Sequence, residues 1–368
     1  MLIAVLTSSR ADYSILFPLL KELKRDSFFE LKLIVFGTHL SSKFGNTIEA
    51  IEKDGFIVAE KLQTMPKGDS PFDISKSIGD TISLFSQIWN NSKVDLIIAI
   101  GDRYEMFAAS FAALPYGIEL AHIHGGEKTL GAIDDVFRNS LTHMAKYHFV
   151  TTDEYANNVI LLKGTNDGVY NVGALSIDNL KKLKLYTIDE FKLFYEIDLS
   201  IPSILITFHP ETVDFSQNEY FIDQIISALN VVNNYQFIIT MPNADTMGQL
   251  IRDKLNAFAK CNSNAIIIES FGTIGYLSCM KHCSFMMGNS SSSFVEASYF
   301  SKYVINLGNR QKGRIITENI INCEIEKSEL VAKINNFNKF KLPNRIEIYG
   351  DGNTATRIIQ IIKNNFIE

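Results

Sequence analysis

The sequence predicts an α/β protein of two Rossmann-like, doubly wound domains facing across a cleft. Three observations predict it. Short runs rich in leucine and β-branched residues alternate with longer amphipathic segments, the pattern of a parallel sheet covered on both faces. The alternation weakens over residues 176–200 and then restarts. The length of 368 residues also exceeds one core, since single cores stop growing at roughly 250–300 residues.

In the first half, LIAVL (Leu2–Leu6), LKLIVF (Leu31–Phe36), DLIIAI (Asp95–Ile100), IELAHI (Ile118–Ile123) and YHFVTT (Tyr147–Thr152) read as buried strands. Helices are expected over Ser14–Asp26, where Ile15, Leu16, Leu19, Leu20 and Leu23 make one apolar stripe, and over Tyr104–Pro115. The segment Ser176–Pro202 is charged, so a domain boundary is placed at 175/176. The second half then offers SILITF (Ser203–Phe208), YQFIIT (Tyr235–Thr240), NAIIIE (Asn264–Glu269), CSFMMG (Cys283–Gly288) and KYVINL (Lys302–Leu307). A last helix is expected over Thr354–Phe366. No solenoid-period repeat or low-complexity tract interrupts the pattern.

Net charge is −6, which leaves no basic footprint for nucleic acid. Local arginines and helix N-termini can still bind an anionic small ligand. No apolar run approaches the roughly 18 residues of a membrane span. The N-terminus lacks the basic leader of a signal peptide. A cytoplasmic location is therefore expected. Four scattered cysteines read as reduced thiols. CMKHC (Cys279–Cys283) lacks a second ligand cluster, so no metal is expected there. Neither GxxxxGK[ST] nor GxGxxG after the first strand occurs, which argues against a P-loop and a nicotinamide cofactor.

Two doubly wound domains place ligands at the carboxyl ends of their strands. After the first strand come Arg10 and Ser14, readable as an anion site or as a helix start with an exposed arginine. After the strand ending at Ile100 come Asp102 and Arg103; Asp102 with Glu105 also fits a capping box. After Ile123 comes HGGEKTLGAIDD. His122 and His124, two apart on a strand, are expected to face one side. Gly125-Gly126 let the backbone turn or approach a ligand. Asp134 or Asp135 could cap the next helix, and Arg138 lies one turn into it. In the second half, His209, then Asn243 and Asp245, end strands. Ser290 and Ser291 open a helix that carries Glu296.

Taken in order, SSRADYS, GDRYE, HIHGGEKTLGAIDD-FR-S, HPET, NADT, GNSSSS-VE and GNRQKGR resemble the hydrolysing UDP-N-acetylglucosamine 2-epimerases of sialic and legionaminic acid synthesis. The resemblance runs from Arg10 to Arg314. It implies a glycosyltransferase-B-like fold with UDP in the cleft. It also implies that the last helix returns to the first domain, giving domains of 1–175 plus 354–368 and 176–353. The implied reaction turns UDP-N-acetylglucosamine into N-acetylmannosamine and UDP, the first step of sialic acid biosynthesis. UDP is eliminated across C1–C2 to give 2-acetamidoglucal, and water then adds with inversion at C2. It requires no metal or redox cofactor.

By motif, Arg10, His209, Ser290, Ser291 and Arg310 would hold the diphosphate. Glu296 would meet the ribose hydroxyls, and the backbone near Phe271 would face uracil. Asp102 and Asp134 would be catalytic carboxylates, with Ser14, Arg103, Arg138 and Asn243 around the substrate. Many family members read HIE where this chain reads HIH, so His124 stands at a glutamate position. His124 and Glu127 are then both candidates for the base. The resemblance further implies a homodimer or a dimer of dimers.

Rival readings differ in chemistry. The same reaction on UDP-N,N'-diacetylbacillosamine fits, because no motif reads C4 or C6 of the sugar. A retaining glycosyltransferase would transfer to an acceptor without exchange at C2. A UDP-sugar sensor would bind without turnover. A non-hydrolysing epimerase would release no free UDP, and the GDRYE and GAIDD forms argue against it.

Overall fold

The computed structural model describes residues 1–242, 245–337 and 346–367. The chain forms two compact units, each considered by itself. The first comprises Met1–Glu127, Asp134–Lys182 and Ile348–Glu368; the second comprises Lys128–Ile133 and Leu183–Glu347.

The first unit holds β1 (Leu2–Thr7), β2 (Glu30–Phe36), β3 (Val58–Leu62), β4 (Leu96–Ile100), β5 (Glu119–Ile123), β6 (Tyr147–Val150) and β7 (Val169–Asn171). They pair in the order β3-β2-β1-β4-β5-β6-β7, all parallel. The order reverses between β1 and β4, with Ile3 opposite Leu96 and Val5 opposite Ile98. Each of these four side chains is fully buried, as helices on both faces require.

The second unit holds β8 (Ser203–Thr207), β9 (Gln236–Thr240), β10 (Ala265–Ile268), β11 (Phe285–Gly288), β12 (Val304–Leu307) and β13 (Ile320–Cys323). Their order is β10-β9-β8-β11-β12-β13, again all parallel. Here the reversal falls between β8 and β11. Such switch points are where the turns after neighbouring strands diverge and leave room for a ligand.

Each strand read from the sequence is present. The sequence did not disclose β3, β7 and β13, and all three lie at sheet edges. The first helix begins at Arg10, four residues earlier than the periodicity indicates. Ser9 caps it, its hydroxyl accepting from the Asp12 N–H at 3.3 Å. The helix expected over 104–115 ends at Phe111, and a 3₁₀ turn covers Leu114–Tyr116.

Contacts set Lys128–Ile133, inside the expected first domain, in the second unit, and they place unit boundaries at 182/183 and 347/348 where 175/176 and 353/354 are expected. The reason is Asp178, buried in the helix Leu175–Lys182. Its two carboxylate oxygens accept from the N–H groups of Thr354 and Ala355, each at 2.9 Å. One carboxylate thus caps the helix Thr354–Phe366. Ala355, Ile358 and Ile362 of that helix then pack into the first unit's core. Among the described residues, no helix is long and apolar enough to cross a membrane.

Among the buried histidines of the first unit, three are held well below their ordinary value. Burial pushes His39 down to about 3, His122 down to about 4 and His148 down to about 3. All lie below the ordinary value near 6.5. From about pH 6.5 down to about 4 the unfolded chain takes up protons that the folded unit does not. Stability therefore falls as pH drops through that window, by up to about 1.4 kcal/mol per pH unit for each histidine. Calorimetry over that range is expected to show this slope, and a shallower one for His39→Gln. A melting temperature indifferent to pH would overturn the assignment.

Candidate functional site

In the first unit the turns after β1, β4 and β5 carry the candidate residues. Arg10 is the first residue of the helix Arg10–Arg25, and Ser14 lies one turn in; both are half-buried. Burial pushes the Asp12 carboxyl up, against the Ser8 hydroxyl (2.7 Å), the Arg103 charge and the Ser8 N–H (2.9 Å).

The capping box read for Asp102 and Glu105 does not form. Arg103 holds the capping position of the helix Tyr104–Phe111, with no side-chain cap bond. Glu105 instead accepts from the Arg103 guanidinium at 2.9 and 3.2 Å. Asp102 accepts from the guanidinium of Arg138.

The two histidines do not share a face. β5 ends at Ile123, and His124 has φ +68°, so strand alternation stops before it. His122 is held on both ring nitrogens, by the Gly101 carbonyl at 2.8 Å and the Thr142 hydroxyl at 3.1 Å. Its lowered pKa keeps it neutral, a structural residue.

His124 Nδ1 lies 2.6 Å from Glu127 Oε1. Glu127 also accepts from Thr151 Oγ1 at 3.3 Å and, on Oε2, from Arg138 at 3.3 Å. Arg138, 1% exposed, thus bridges carboxylates that follow β4 and β5. Asp134 opens the helix Asp134–Met144 and lies one turn before Arg138, on the same helix face. His124 Nε2 is buried with no hydrogen-bond partner.

Gly125-Gly126 serve packing here. A Cβ on Gly126 (φ +75°) would fall 2.2 Å from the Tyr155 carbonyl, and one on Gly125 would press on His122 and Thr142 at 3.1 Å. The pair lets the turn close on the helix Asp153–Lys163, where the Asn158 amide donates to the Gly126 carbonyl at 2.8 Å.

In the second unit, β8 and β11 deliver His209 and Asn289. Asn289 is fully buried and makes a reciprocal pair with the His209 backbone: N–H to Oδ1 at 2.7 Å, Nδ2 to carbonyl at 2.8 Å. The Asn289 carbonyl in turn accepts from Gln311 at 2.8 Å and Arg310 at 3.4 Å. Glu211 Oε1 accepts from the N–H groups of Asn309 and Arg310 at 2.6 and 3.1 Å. Burial pushes its carboxyl up, against those two donors. Arg310 Nε is buried without a partner.

The serine run opens no long helix. Ser291–Ser293 is a single 3₁₀ turn, and Glu296 begins a four-residue helix rather than lying two turns into one. Ser290 and Ser292 hydroxyls lie 3.1 Å apart, and the hydroxyl of the half-buried Tyr276 lies 2.6 Å from that of Ser292. The Phe271 carbonyl is engaged by the Tyr195 hydroxyl at 2.7 Å. Asn243 lies outside the described residues; Asp245 is buried.

The sequence reading missed Thr151, Glu211, Asn289 and Gln311. Glu211 and Asn289 sat inside quoted motifs, but the residues they hold lie in other motifs, 80 or more positions away. In CMKHC, the His282 ring nitrogen bonds the Tyr186 carbonyl at 2.9 Å and Cys279 and Cys283 are buried. No metal-holding group of three or more His, Cys, Asp or Glu occurs among the described residues.

Gly126→Ala should separate clash from backbone strain. Gly117, with φ +66° and nothing within 4 Å of an added Cβ, supplies the control. Gly117→Ala is expected to cost about 1–2 kcal/mol. Gly126→Ala should cost more than about 4 kcal/mol, because its Cβ meets backbone. Equal costs in urea unfolding would refute the packing role.

A family model described as UDP-N-acetylglucosamine 2-epimerase matches residues 21–363. The chain is 35% identical over 324 residues to the GDP/UDP-N,N'-diacetylbacillosamine 2-epimerase (hydrolyzing) of Campylobacter jejuni, covering 88% of this chain and 84% of that protein. It is 35% identical over 334 residues to polysialic acid biosynthesis protein P7 of Escherichia coli, covering 90% and 85%. In fold it matches the UDP-GlcNAc 2-epimerase of Neisseria meningitidis, a structure bound to UDP-GlcNAc. That match has a TM-score of 0.83 and 19% identity, over 99% of this chain and 100% of that one. Motifs at the strand ends, two parallel sheets and a match through most of the chain lead to one assignment: this chain belongs to the UDP-N-acetylglucosamine 2-epimerase family.

Proposed function

We propose that the chain is a hydrolysing sugar-nucleotide 2-epimerase that converts UDP-N-acetylglucosamine to N-acetylmannosamine and UDP. One observation carries the reading. A buried histidine–carboxylate–arginine network follows β4 and β5, as an elimination needing both proton transfer and charge stabilisation demands.

The C2 proton is poorly acidic, so loss of UDP must accompany or precede its removal. In the second unit, Arg310, His209, Ser290 and Ser291 are proposed to hold the diphosphate, and Glu296 the ribose hydroxyls. The buried, unpartnered Arg310 Nε supports this. The Phe271 carbonyl already accepts one hydrogen bond, so a uracil contact there is proposed to use its second lone pair or a neighbouring backbone group. In the first unit, Arg10 and Ser14 are proposed for phosphate. Asp102 and Asp134 are the proposed carboxylates, and the His124–Glu127 pair the proposed base. Arg103 and Arg138 are engaged by carboxylates, so their part is to orient these groups. Asn243 retains its proposed place at the sugar from the motif alone.

A second sugar is supported by the name of the Campylobacter relative: UDP-N,N'-diacetylbacillosamine, through the same elimination and hydration. The name of the Escherichia coli relative supports the sialic acid reading.

Incubation with each nucleotide sugar in heavy water, without added metal, is expected to release UDP and place deuterium at C2 of the free sugar. The higher kcat/KM names the substrate, and failure of both sugars would sink the reading. Arg310→Ala is expected to weaken UDP binding by about tenfold or more, the loss of a charge-assisted hydrogen bond.

A further inference from the structure

We infer that His124 is the group that takes the C2 proton, through Nε2, and that Glu127 is its positioning residue rather than a base. The inference rests on the epimerase reading above and assigns the two halves of the pair.

Glu127 is poorly placed to accept a substrate proton. It is 3% exposed. His124 and Thr151 occupy Oε1, and Arg138 occupies Oε2. At least three of a carboxylate's roughly four lone-pair positions are therefore filled by protein donors. Opposite the Arg138 guanidinium the group is an acceptor, so its 2.6 Å contact with Nδ1 fixes the imidazole proton on Nδ1. In that tautomer the lone pair lies on Nε2.

Nε2 is buried and has no partner in the protein. Buried polar atoms are nearly always paired, so an orphan on a ring held by Glu127, itself paired with Arg138, points to a group brought by a ligand. The backbone agrees. His124 sits at φ +68°, a conformation that non-glycine residues adopt at a cost and mostly at functional sites. Glycine would serve the turn better, so the imidazole is retained for its side chain. His122, the other histidine here, has both ring nitrogens bonded to protein and is no competitor.

In the step, the C2 proton passes to Nε2. The C2–H electron pair becomes the C1=C2 double bond, and the C1–O bond breaks with its pair leaving on UDP. The imidazolium keeps its Nδ1–H on the Glu127 carboxylate, and its new proton passes to water as the products depart. No oxidant, reductant or metal enters the balance.

The test begins with the wild-type protein on its better nucleotide sugar, reading UDP release and deuterium at C2. If wild type does not turn over, the epimerase reading fails, and this assignment with it. If it does, His124→Gly is expected to lower kcat about 10²–10⁴-fold with KM within a few-fold, and added imidazole to restore part of the rate. His124→Gly relieves the backbone strain, so it should fold. His124→Asn, which also tolerates this backbone, is expected to lose rate without rescue. Glu127→Gln must turn its amide oxygen to Arg138 and its NH₂ to Nδ1, which moves the ring proton onto Nε2. It should lower kcat at least about 100-fold in the wild-type background. In the His124→Gly background it should add almost nothing, because Glu127 acts through His124. Equal losses from Glu127→Gln in both backgrounds, or His124→Gly within tenfold of wild type in the presence of turnover, would overturn the assignment.

Discussion

A buried guanidinium survives only where carboxylates meet it, and Arg138 imposes that condition on the first unit. It pairs with Asp102 after β4 and with Glu127 after β5. Removing one member of such a buried set costs about 3–5 kcal/mol, because the partner stays buried and unpaired. The same forces that hold the turns together therefore hold the acids and the imidazole in place. Thr151, after β6, adds a hydroxyl to the Glu127 carboxylate, so three neighbouring strand ends converge on the Arg138–Glu127 pair. The sheet supplies the spacing, and the charges select one arrangement of the turns.

The second unit solves its version of the problem with hydrogen bonds to backbone. Asn289 ties the turn after β11 to the turn after β8 by two reciprocal bonds. Glu211 gathers two successive N–H groups of the loop that carries Arg310. The anchoring carboxylate grips the main chain, which leaves much of the arginine side chain for other work. Charge holds charge in the first unit; charge holds amide in the second. This division fits the proposal that one unit moves protons and the other receives an anion.

Much of this was legible in the sequence. Interior strands such as LIIAI are buried along their whole length, so continuous apolar runs disclose them. VAEKL, VYN and IINC at the edges are only partly covered, and their mixed composition hides them. Motifs disclosed which charged residues gather at the strand ends. They did not disclose the direction of any bond. Glu105 could be read as a cap because spacing alone favours it, yet a nearer guanidinium takes it. Period-two logic failed at His124 because a single left-handed residue ends the strand. The residues missed entirely, Asn289 and Glu211 among them, make their decisive contacts across 80 and nearly 100 positions of chain, where no local pattern reaches.

The cap that Asp178 places on the helix Thr354–Phe366 bears on the order in which the molecule can be completed. The first unit's core includes Ala355, Ile358 and Ile362, side chains made after the whole of the second unit has been synthesised. Until they arrive, the face of the helix Arg10–Arg25 that they cover is open to water, and Asp178 is a carboxylate without its helix. The first unit to begin emerging from the ribosome is thus the last to close, and the second unit, whose strands are consecutive, can finish before it. A chain interrupted late in translation would keep both sheets and still leave the first unit unsealed.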